Sequence, residues 1–344
     1  LLNEAQICIL DLPLATGLVA EITGNKEGPI IAIRGDIDAL PISEETDLDY
    51  KSQILGKMHA CGHDFHASVI LGVAYLLKHQ ESKLSGTVRI IFQAAEETGH
   101  GAEEVLATGV LSDVDAIFGL HSAPGLEVGS LGTNVGPLYA AVDRFEVEIE
   151  GIGTHASSPE KGIDPIIVAA HIITALQTIV SRNVSAFDQV LISVTHLKSG
   201  NTWNVIPSTA YIEGTVRTLK AETREFVPKK MRQIIKGMAD SFGASAELKW
   251  YEGPPATNNT SKWTSVAIDV AKDQGYEIKE LKPSLAGEDF AYYQEQIPGA
   301  FVNIGTGVSY SLHHPKFLVD DAALLPSANY FAQLAKRALD ILSE

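Results

Sequence analysis

Cysteine and positive charge are both scarce in this sequence. Of its 344 residues only two are cysteines, Cys8 and Cys61, so we expect no disulfide framework and a reducing compartment. Lys and Arg number 26 against 43 Asp and Glu, which gives a net charge of −17, and no basic run interrupts this acidic balance. A nucleic-acid or anionic-membrane surface is therefore not expected, and a small molecule is the expected partner.

Long apolar runs are missing as well. No apolar run approaches the roughly 18 residues that suggest a membrane span, and the N-terminus lacks the basic-then-apolar pattern of a signal peptide. The chain also has no internal repeat and no low-complexity segment. We therefore expect a folded cytoplasmic protein without a membrane segment, in which 45% apolar residues fill the cores of two domains.

The first part of the chain alternates strand-like and helix-like segments. Apolar runs bounded by glycine or proline predict strands, and an apolar stripe with helical spacing predicts a helix. Predicted strands lie at 16–22, 29–35, 86–93 and 115–120, and predicted helices at 66–79 and 98–107. Buried strands that alternate with helices indicate an α/β sheet with helices on both faces.

The pattern changes near residue 131. The segment RFEVEIE at 144–150 alternates polar and apolar residues, as a half-exposed strand does, and Asp164-Pro165 is typical of the start of a helix. Further strands and one further helix predict the order β-α-β-β-α-β, which is ferredoxin-like. After residue 253 the α/β pattern returns. We therefore expect a catalytic domain in two pieces, 1–130 and 254–344, with a ferredoxin-like domain inserted at 131–253.

Residues with metal-binding atoms follow the predicted strands. They are Asp36 and Asp38 after the second strand, Glu96 and Glu97 after the third, His121 after the fourth, His313 after a late strand at 300–304, and Cys61 and His63 in the segment MHACGHD. Because ligands of an open α/β sheet bind beyond the carboxyl ends of its strands, these residues would meet at one edge. Singly, a pair of acids usually just begins a helix, but the joint placement favours a metal centre. Thiolate, imidazole and carboxylate together suit zinc, cobalt, nickel or manganese better than calcium.

Two other interpretations of Cys61 are weaker. A structural zinc site would need a second cysteine pair, which the sequence does not contain. A cysteine nucleophile would need a base beside it and a third group that orients the base. His63 is too near in sequence to be an obvious base, and the interpretation leaves the acidic pair and the later histidines without a role.

A series of motifs between residues 59 and 317 carries a resemblance to a known family: HACGHDFH, FQAAEE, GLH, GTHASSPEKGIDP, NVIP, GTVRT, GEDFA and LHHPKF. With these motifs in this order, the chain resembles the dimetal amidohydrolase branch of the aminoacylase and carboxypeptidase G peptidase family. That branch includes hippurate hydrolases, plant auxin-conjugate hydrolases and N-acetyl-diaminopimelate deacetylase. Relatives carry a helix ahead of the segment that matches the start of this chain, and the chain begins at Leu1 without a methionine, so we expect a preceding segment.

The resemblance implies a centre with two divalent transition-metal ions, such as zinc, manganese, nickel or cobalt. It implies that Glu96 is the general base, and that the metal ligands are Cys61, His63, Glu97, His121 and His313. It also implies a role for Asp38 in orienting a ligand histidine. Carboxypeptidase relatives have a ligand histidine at the position of Asp36. Because this chain has replaced that histidine, Asp36 is left out of the ligand set.

The resemblance further assigns residues of the inserted domain. His155 would stabilise the oxyanion in the active site of a partner subunit, so a homodimer through the inserted domain is expected. Asn204 and Arg217 resemble the binders of a substrate carboxylate. Gly287 would let the backbone approach the substrate.

The implied function is hydrolysis of the amide bond of N-acetyl or N-aroyl amino acids by a metal-activated water. Two alternatives stay open from the sequence. One is a dipeptidase or carboxypeptidase of the same family. The other is a metal-dependent small-molecule binding protein without catalysis.

Overall fold

The apolar runs of the sequence form one large sheet, one sheet of four strands and two short strand pairs in the computed structural model, which describes residues 1–344. The strands are β1 (Cys8–Ile9), β2 (Leu18–Thr23), β3 (Lys26–Asp36), β4 (Ser85–Gln93), β5 (Ala116–Ala123), β6 (Ser130–Thr133), β7 (Gly136–Tyr139), β8 (Ala141–Glu150), β9 (Thr154–His155), β10 (Val190–Ser199), β11 (Val205–Ile206), β12 (Thr209–Thr218), β13 (Ser245–Tyr251), β14 (Thr257–Asn259), β15 (Glu277–Glu280) and β16 (Gly299–Gly305). The helices are α1 (His63–Lys78), α2 (Gly101–Ala107), α3 (Pro165–Thr178), α4 (Ala221–Ser241), α5 (Ser261–Asp273), α6 (Ala291–Gln294) and α7 (Leu324–Ser343).

The chain divides into two compact units. The sheet unit consists of Leu1–Leu138, Thr257–Lys282 and Glu288–Glu344, and the insert unit of Tyr139–Ala256 and Pro283–Gly287. The division lies later in the sequence than residues 130 and 253, where the sequence pattern changes. The reason at the first boundary is that β6 pairs with β16 and β15 and so belongs to the large sheet.

The large sheet of the sheet unit has the strand order β1-β2-β4-β3-β5-β16-β6-β15. Its centre, β4-β3-β5-β16, is parallel, so the carboxyl ends of these four strands lie at the same edge. Helices α1, α5 and α7 pack on one face, where Ile31, Ile33 and Val88 are buried with them. Helices α2 and α6 contact each other and contribute no residue to that core. The α/β fold expected from the sequence is therefore confirmed.

The four-stranded sheet of the insert unit is antiparallel, with the order β10-β12-β8-β13. Along β8, Phe145, Val147 and Ile149 are buried against α3 and α4, while the residues between them face away from that core. The alternation follows from the period of two in a strand. The chain order β8-α3-β10-β12-α4-β13 is the β-α-β-β-α-β arrangement that the sequence predicts.

The helix that begins at Asp164-Pro165 is long and apolar, as the sequence predicts. Residues 165–183, which comprise α3 and the π turn after it, have a mean hydropathy of 1.4 and are long enough to cross a membrane by length and composition. His171, Thr174 and Gln177 interrupt the segment, so it does not stand out as a continuous apolar run. In the structure it packs on the four-stranded sheet through Val168 and Ile172.

Candidate metal centre

The N-terminus of α1 brings Cys61 and His63 to the carboxyl edge of the large sheet. Gly62 between them caps the helix in the left-handed conformation, with φ 88°. It has no room for a side chain, because a Cβ there would lie 2.4 Å from Ser122 Oγ. The Ser122 hydroxyl donates a hydrogen bond of 3.0 Å to the Cys61 carbonyl. The backbone at Gly62 thus packs directly against β5, next to His121. The helix begins at His63, three residues before the predicted start. The apolar stripe did not indicate this first turn, because it carries polar residues.

The five residues expected to bind metal all meet at this edge. Cys61 Sγ lies 3.5 Å from His121 Nε2 and 3.3 Å from His313 Nε2. Glu97 Oε1 lies 3.3 Å from His313 Nε2 and 4.0 Å from His63 Nε2. Their donor atoms form two groups of three that share the Cys61 thiol: Cys61 with His63 and His121, and Cys61 with Glu97 and His313.

Two buried atoms at this centre have no hydrogen-bond partner, His63 Nε2 and Glu97 Oε1. Buried polar atoms are almost always hydrogen-bonded, so these two suit residues that would hold a metal ion. Nδ1 of His63 lies 3.2 Å from Asp38 Oδ1, which fixes that nitrogen as the donor and turns Nε2 towards Glu97. The other carboxylate oxygen of Asp38 accepts a hydrogen bond of 3.1 Å from the Glu97 amide. Asp38 thus contacts both the His63 ring and the backbone amide of Glu97.

The electrostatics of the centre suit cations. Burial raises the pKa of the Cys61 thiol well above its ordinary range, and the nearby Glu97 and Asp36 carboxylates raise it further. Burial alone lowers the pKa of His63, but Asp36 and Asp38 outweigh it and raise the pKa to about 9. His121 has its pKa lowered to about 3, chiefly by burial. Thiol, imidazole and carboxylate at these distances fit transition-metal ions, and two groups that share one sulfur fit two of them.

Glu96 lies beside the two groups without belonging to either. One of its carboxyl oxygens lies within 4.8 Å of donor atoms of His63 and Glu97. Burial raises the pKa of Glu96 to about 11, and the neighbouring Glu288 and Asp36 carboxylates act in the same direction. Without a cation at the centre, Glu96 therefore holds a proton at neutral pH.

Asp36, which the resemblance leaves out of the ligand set, lies within 4.8 Å of donor atoms of His63 and His66 and has partners of its own. Its Oδ2 accepts a hydrogen bond of 2.8 Å from Arg34 Nη1, and its Oδ1 accepts one from His66 Nδ1. The other ring nitrogen of His66 accepts the Ser122 amide at 2.7 Å. Burial alone raises the pKa of Asp36, but His63, Arg34 and His66 outweigh it and hold the pKa well below its usual range.

A buried group behind the centre was not predicted from the sequence. Arg34 is fully buried and contacts Glu288 at 3.0 Å and Asp289 at 2.7 Å, besides Asp36. The available signals were an arginine inside the apolar strand IAIRGD and the acidic pair of the motif GEDFA. Nothing local in the sequence says that residues 34 and 289 meet.

His155, expected to stabilise the oxyanion, and the three residues expected to bind substrate lie in the insert unit and form two pairs. His155 in β9 stands opposite Val205 of β11, and the Asn204 carbonyl accepts the Ala156 amide at 3.1 Å, so His155 and Asn204 are neighbours. His155 is exposed. Arg217 and Gly287 form the second pair, because a Cβ at Gly287 would lie 3.7 Å from Arg217 Nη1.

Arg217 has spare hydrogen-bond donors. Its Nε donates to Thr215 Oγ1 at 3.1 Å, and the side chain makes no salt bridge. Burial lowers the pKa of Arg217, and Asp143, the acid that acts against this effect, is already held by Arg224 at 2.7 and 3.0 Å. A half-buried guanidinium with free N–H groups suits a carboxylate ligand.

Comparison with known proteins decides the family. The family model described as peptidase family M20/M25/M40 matches residues 32–337. The chain belongs to this family. An N-acetylcysteine deacetylase of Bacillus subtilis is 49% identical over 342 residues, which cover 99% of this chain and 90% of the relative. Thermostable carboxypeptidase 1 of Saccharolobus solfataricus is 37% identical over 94% of this chain and 84% of the relative.

A solved M20 structure shares the fold. The YXEP protein of Bacillus subtilis, described as a dinuclear metal-binding peptidase, is 47% identical and superimposes with a TM-score of 0.89, over 98% of this chain and 90% of that one. Membership of the M20 family, with relatives that are deacetylases and amidohydrolases, confirms the resemblance drawn from the motifs.

Proposed function

We propose that this protein is a metal-dependent amidohydrolase that cleaves the amide bond of N-acyl amino acids. The observation that carries the proposal is the geometry of the candidate metal centre: two groups of three donors share the Cys61 thiol, and a separate carboxyl group, Glu96, lies beside them. The N-acetylcysteine deacetylase relative supports a small N-acyl amino acid as the substrate.

Two divalent transition-metal ions are the proposed cofactors. Their ligands would be Cys61, His63, Glu97, His121 and His313, of which two present unpaired buried atoms. When bound, the ions supply Lewis acidity and lower the pKa of a water towards roughly 7. Thiolate and imidazole ligands favour zinc, manganese, cobalt or nickel among the divalent ions.

Glu96 is the proposed general base. Positive charge at the centre favours the ionised carboxylate, so binding of cations turns the protonated Glu96 into a base. It then takes the proton of the attacking water and returns it to the leaving amine. Asp38 keeps the Nδ1 proton on His63 and holds the Glu97 amide, which fixes both side chains during the reaction.

The insert unit supplies the proposed substrate contacts. The spare donors of Arg217, together with Asn204, would bind the amino-acid carboxylate. Gly287 lets the backbone beside the guanidinium pack against Val142, because a Cβ there would lie 2.4 Å from Val142 Cγ2. His155 would stabilise the oxyanion in the second subunit of a homodimer. Mixing inactive His155→Ala with inactive Glu96→Gln should then restore part of the activity, and an absence of recovery would count against a shared site.

The function is tested by a panel of N-acetyl amino acids, N-acetylcysteine among them, with N-benzoyl amino acids and free dipeptides. The metal-loaded protein should hydrolyse the N-acyl compounds, and Glu96→Gln should abolish turnover while metal binding is kept. Preference for free dipeptides would favour the peptidase alternative, to which the carboxypeptidase relative points. If the parent and the Glu96→Gln protein bind an N-acyl amino acid equally well and neither hydrolyses it, the result would favour a binding protein without catalysis.

A further inference from the structure

A single buried carboxylate bonds both ends of the loop that carries Glu96 and Glu97. This loop, residues 94–100, joins the end of β4 to the start of α2. Asp289 accepts hydrogen bonds from Gln93 Nε2, the last residue before the loop, at 2.9 and 2.8 Å. It also accepts the amide of Ala102, in the first turn of α2, at 2.9 Å. Asp289 is fully buried, so these bonds are shielded from water.

Arg34 compensates the charge of Asp289 and completes the arrangement. Its Nη2 donates to Asp289 Oδ1 at 2.7 Å, and its Nε donates to Gln93 Oε1 at 2.8 Å. The same Gln93 oxygen accepts the Tyr293 hydroxyl at 2.9 Å. Each polar atom of the Gln93 side chain is therefore engaged, and the amide has one orientation only.

The loop between these anchors is held in an unfavourable backbone conformation. Ala95 has φ 60°, in the left-handed region that residues with a side chain seldom adopt. Its carbonyl accepts the Gly101 amide at 3.2 Å and the Thr98 hydroxyl at 3.0 Å, which closes the loop on itself. Such a conformation persists only where surrounding contacts impose it. Asp289 supplies contacts at both ends.

We propose that Asp289 is a positioning residue of the candidate metal centre, which holds loop 94–100 so that Glu96 and Glu97 face the metal ions and the substrate. The inference rests on the proposed function for the roles of these two glutamates. None of the hydrogen bonds of Asp289 goes to a proposed metal ligand, because its partners are Arg34, Gln93 and Ala102. One oxygen of Asp289 also lies within 4.8 Å of a Glu96 carboxyl oxygen, so Asp289 faces the proposed base as well as holding its loop. The effect of Asp289 on metal binding is therefore indirect. It is confined to the donor group of Cys61, Glu97 and His313.

The variant Asp289→Asn tests this proposal. Asparagine keeps the shape, but its amide nitrogen must face either the Ala102 amide or the Arg34 guanidinium, and both are donors. Co²⁺ alone is titrated into the metal-free protein by calorimetry. We expect the second Co²⁺ equivalent to bind about 10- to 100-fold more weakly, while the first, with Cys61, His63 and His121, binds as in the parent. With an N-acetyl amino acid, kcat should fall by a similar factor while KM changes little, since Arg217 is untouched.

Asn259→Ala is the matched control. Asn259 is also buried in the sheet unit and bonds Thr133, Asn134 and Phe301, none of which is a proposed site residue. Its loss should lower the melting temperature but leave both Co²⁺ equivalents and kcat unchanged. If Asp289→Asn behaves like this control, Asp289 is merely structural and the proposal is wrong.

A second variant covers the case in which Asp289→Asn does not fold. Ala102→Pro replaces the amide N–H that Asp289 accepts by a ring carbon, so it breaks the second anchor of the loop while Asp289, Arg34 and Gln93 stay unchanged, and proline is tolerated in the first turn of a helix. It should weaken the second Co²⁺ equivalent in the same direction, and parental Co²⁺ binding together with parental kcat would overturn the proposal. The Co²⁺ titration needs no turnover, so a parent protein inactive on N-acyl amino acids would contradict the proposed function and leave this test intact.

Discussion

At the scale of single residues, Gly62 shows how tightly the metal-binding segment is constrained. Two independent conditions meet there: a φ of 88° and a distance of 2.4 Å from a would-be Cβ to Ser122 Oγ. The residues on either side are Cys61 and His63, whose donor atoms belong to the centre. Any side chain at Gly62 must therefore push the first turn of α1 away from β5.

We predict that Gly62→Ala reduces metal content as well as stability. The positive φ alone should cost about 1–3 kcal/mol. Gly56→Ala is the control, because Gly56 has a φ of 73° but no atom within 4 Å of a Cβ. Melting curves and metal analysis of both variants separate backbone strain from the contact with Ser122. If Gly56→Ala loses as much metal as Gly62→Ala, the contact is not the cause.

At the scale of elements, strong periodicity made strands and helices predictable. The alternation of RFEVEIE predicts β8, because a strand buried on one face alternates polar and apolar residues. The run GTVRIIFQ predicts β4, because a strand buried on both faces is a short apolar run. Strands β1, β14 and β15 were not predicted, because a strand of two to four residues is too short to show a periodic pattern of apolar residues. Their positions depend on pairing with distant parts of the chain.

The candidate centre was predictable to a similar extent. The parallel order β4-β3-β5 brings strand-end residues together whatever their distance in sequence, so the topology argument found the donor residues. The ligand roles themselves stay a prediction. Arg34 and Asp289 could not be paired in advance, because their contact joins β3 to a loop 255 positions later.

The cap of α3 offers a test at this scale. Asp164 Oδ1 accepts the Ile166 amide at 2.9 Å, and Pro165 occupies the first helical position. We predict that Asp164→Ala destabilises the insert unit by about 1 kcal/mol, measured by urea unfolding and by faster amide exchange in the first turn of α3. Asp320→Ala, which removes the same kind of bond at a 3₁₀ turn of the sheet unit, should leave exchange in α3 unchanged. Equal exchange in α3 with and without Asp164 would contradict the prediction.

At the scale of the whole molecule, a net charge of −17 coincides with a centre crowded by carboxylates. In the metal-free protein this crowding is relieved by protons. His63 has its pKa raised to about 9 by Asp36 and Asp38 against the effect of burial, and burial beside acids raises the pKa of Glu288 to about 8. Both groups hold protons in the folded state at pH values where the unfolded chain has released them.

The sign of the pH dependence follows from this difference. Stability from the raised pKa of His63 is fully present below about pH 6.5 and is lost as the pH rises through about 9. Glu288 acts in the same direction from its ordinary range up to about pH 8. His121, whose pKa burial lowers to about 3, costs stability only below about pH 6.5 and contributes no slope above it. The metal-free protein should therefore lose stability between pH 7 and 9.

We predict that chelator-treated protein has a lower melting temperature at pH 9 than at pH 7, with about 2 kcal/mol lost over this range through His63 alone. Metal-loaded protein should lose less over the same range, because cations replace the protons at His63 and at the Cys61 thiol. Metal binding at pH 7 should accordingly release protons, which calorimetry detects as heats that depend on the ionisation enthalpy of the buffer. A metal-free protein that becomes more stable from pH 7 to 9, or metal binding without proton release, would show that these carboxylates do not hold protons on the neighbouring groups.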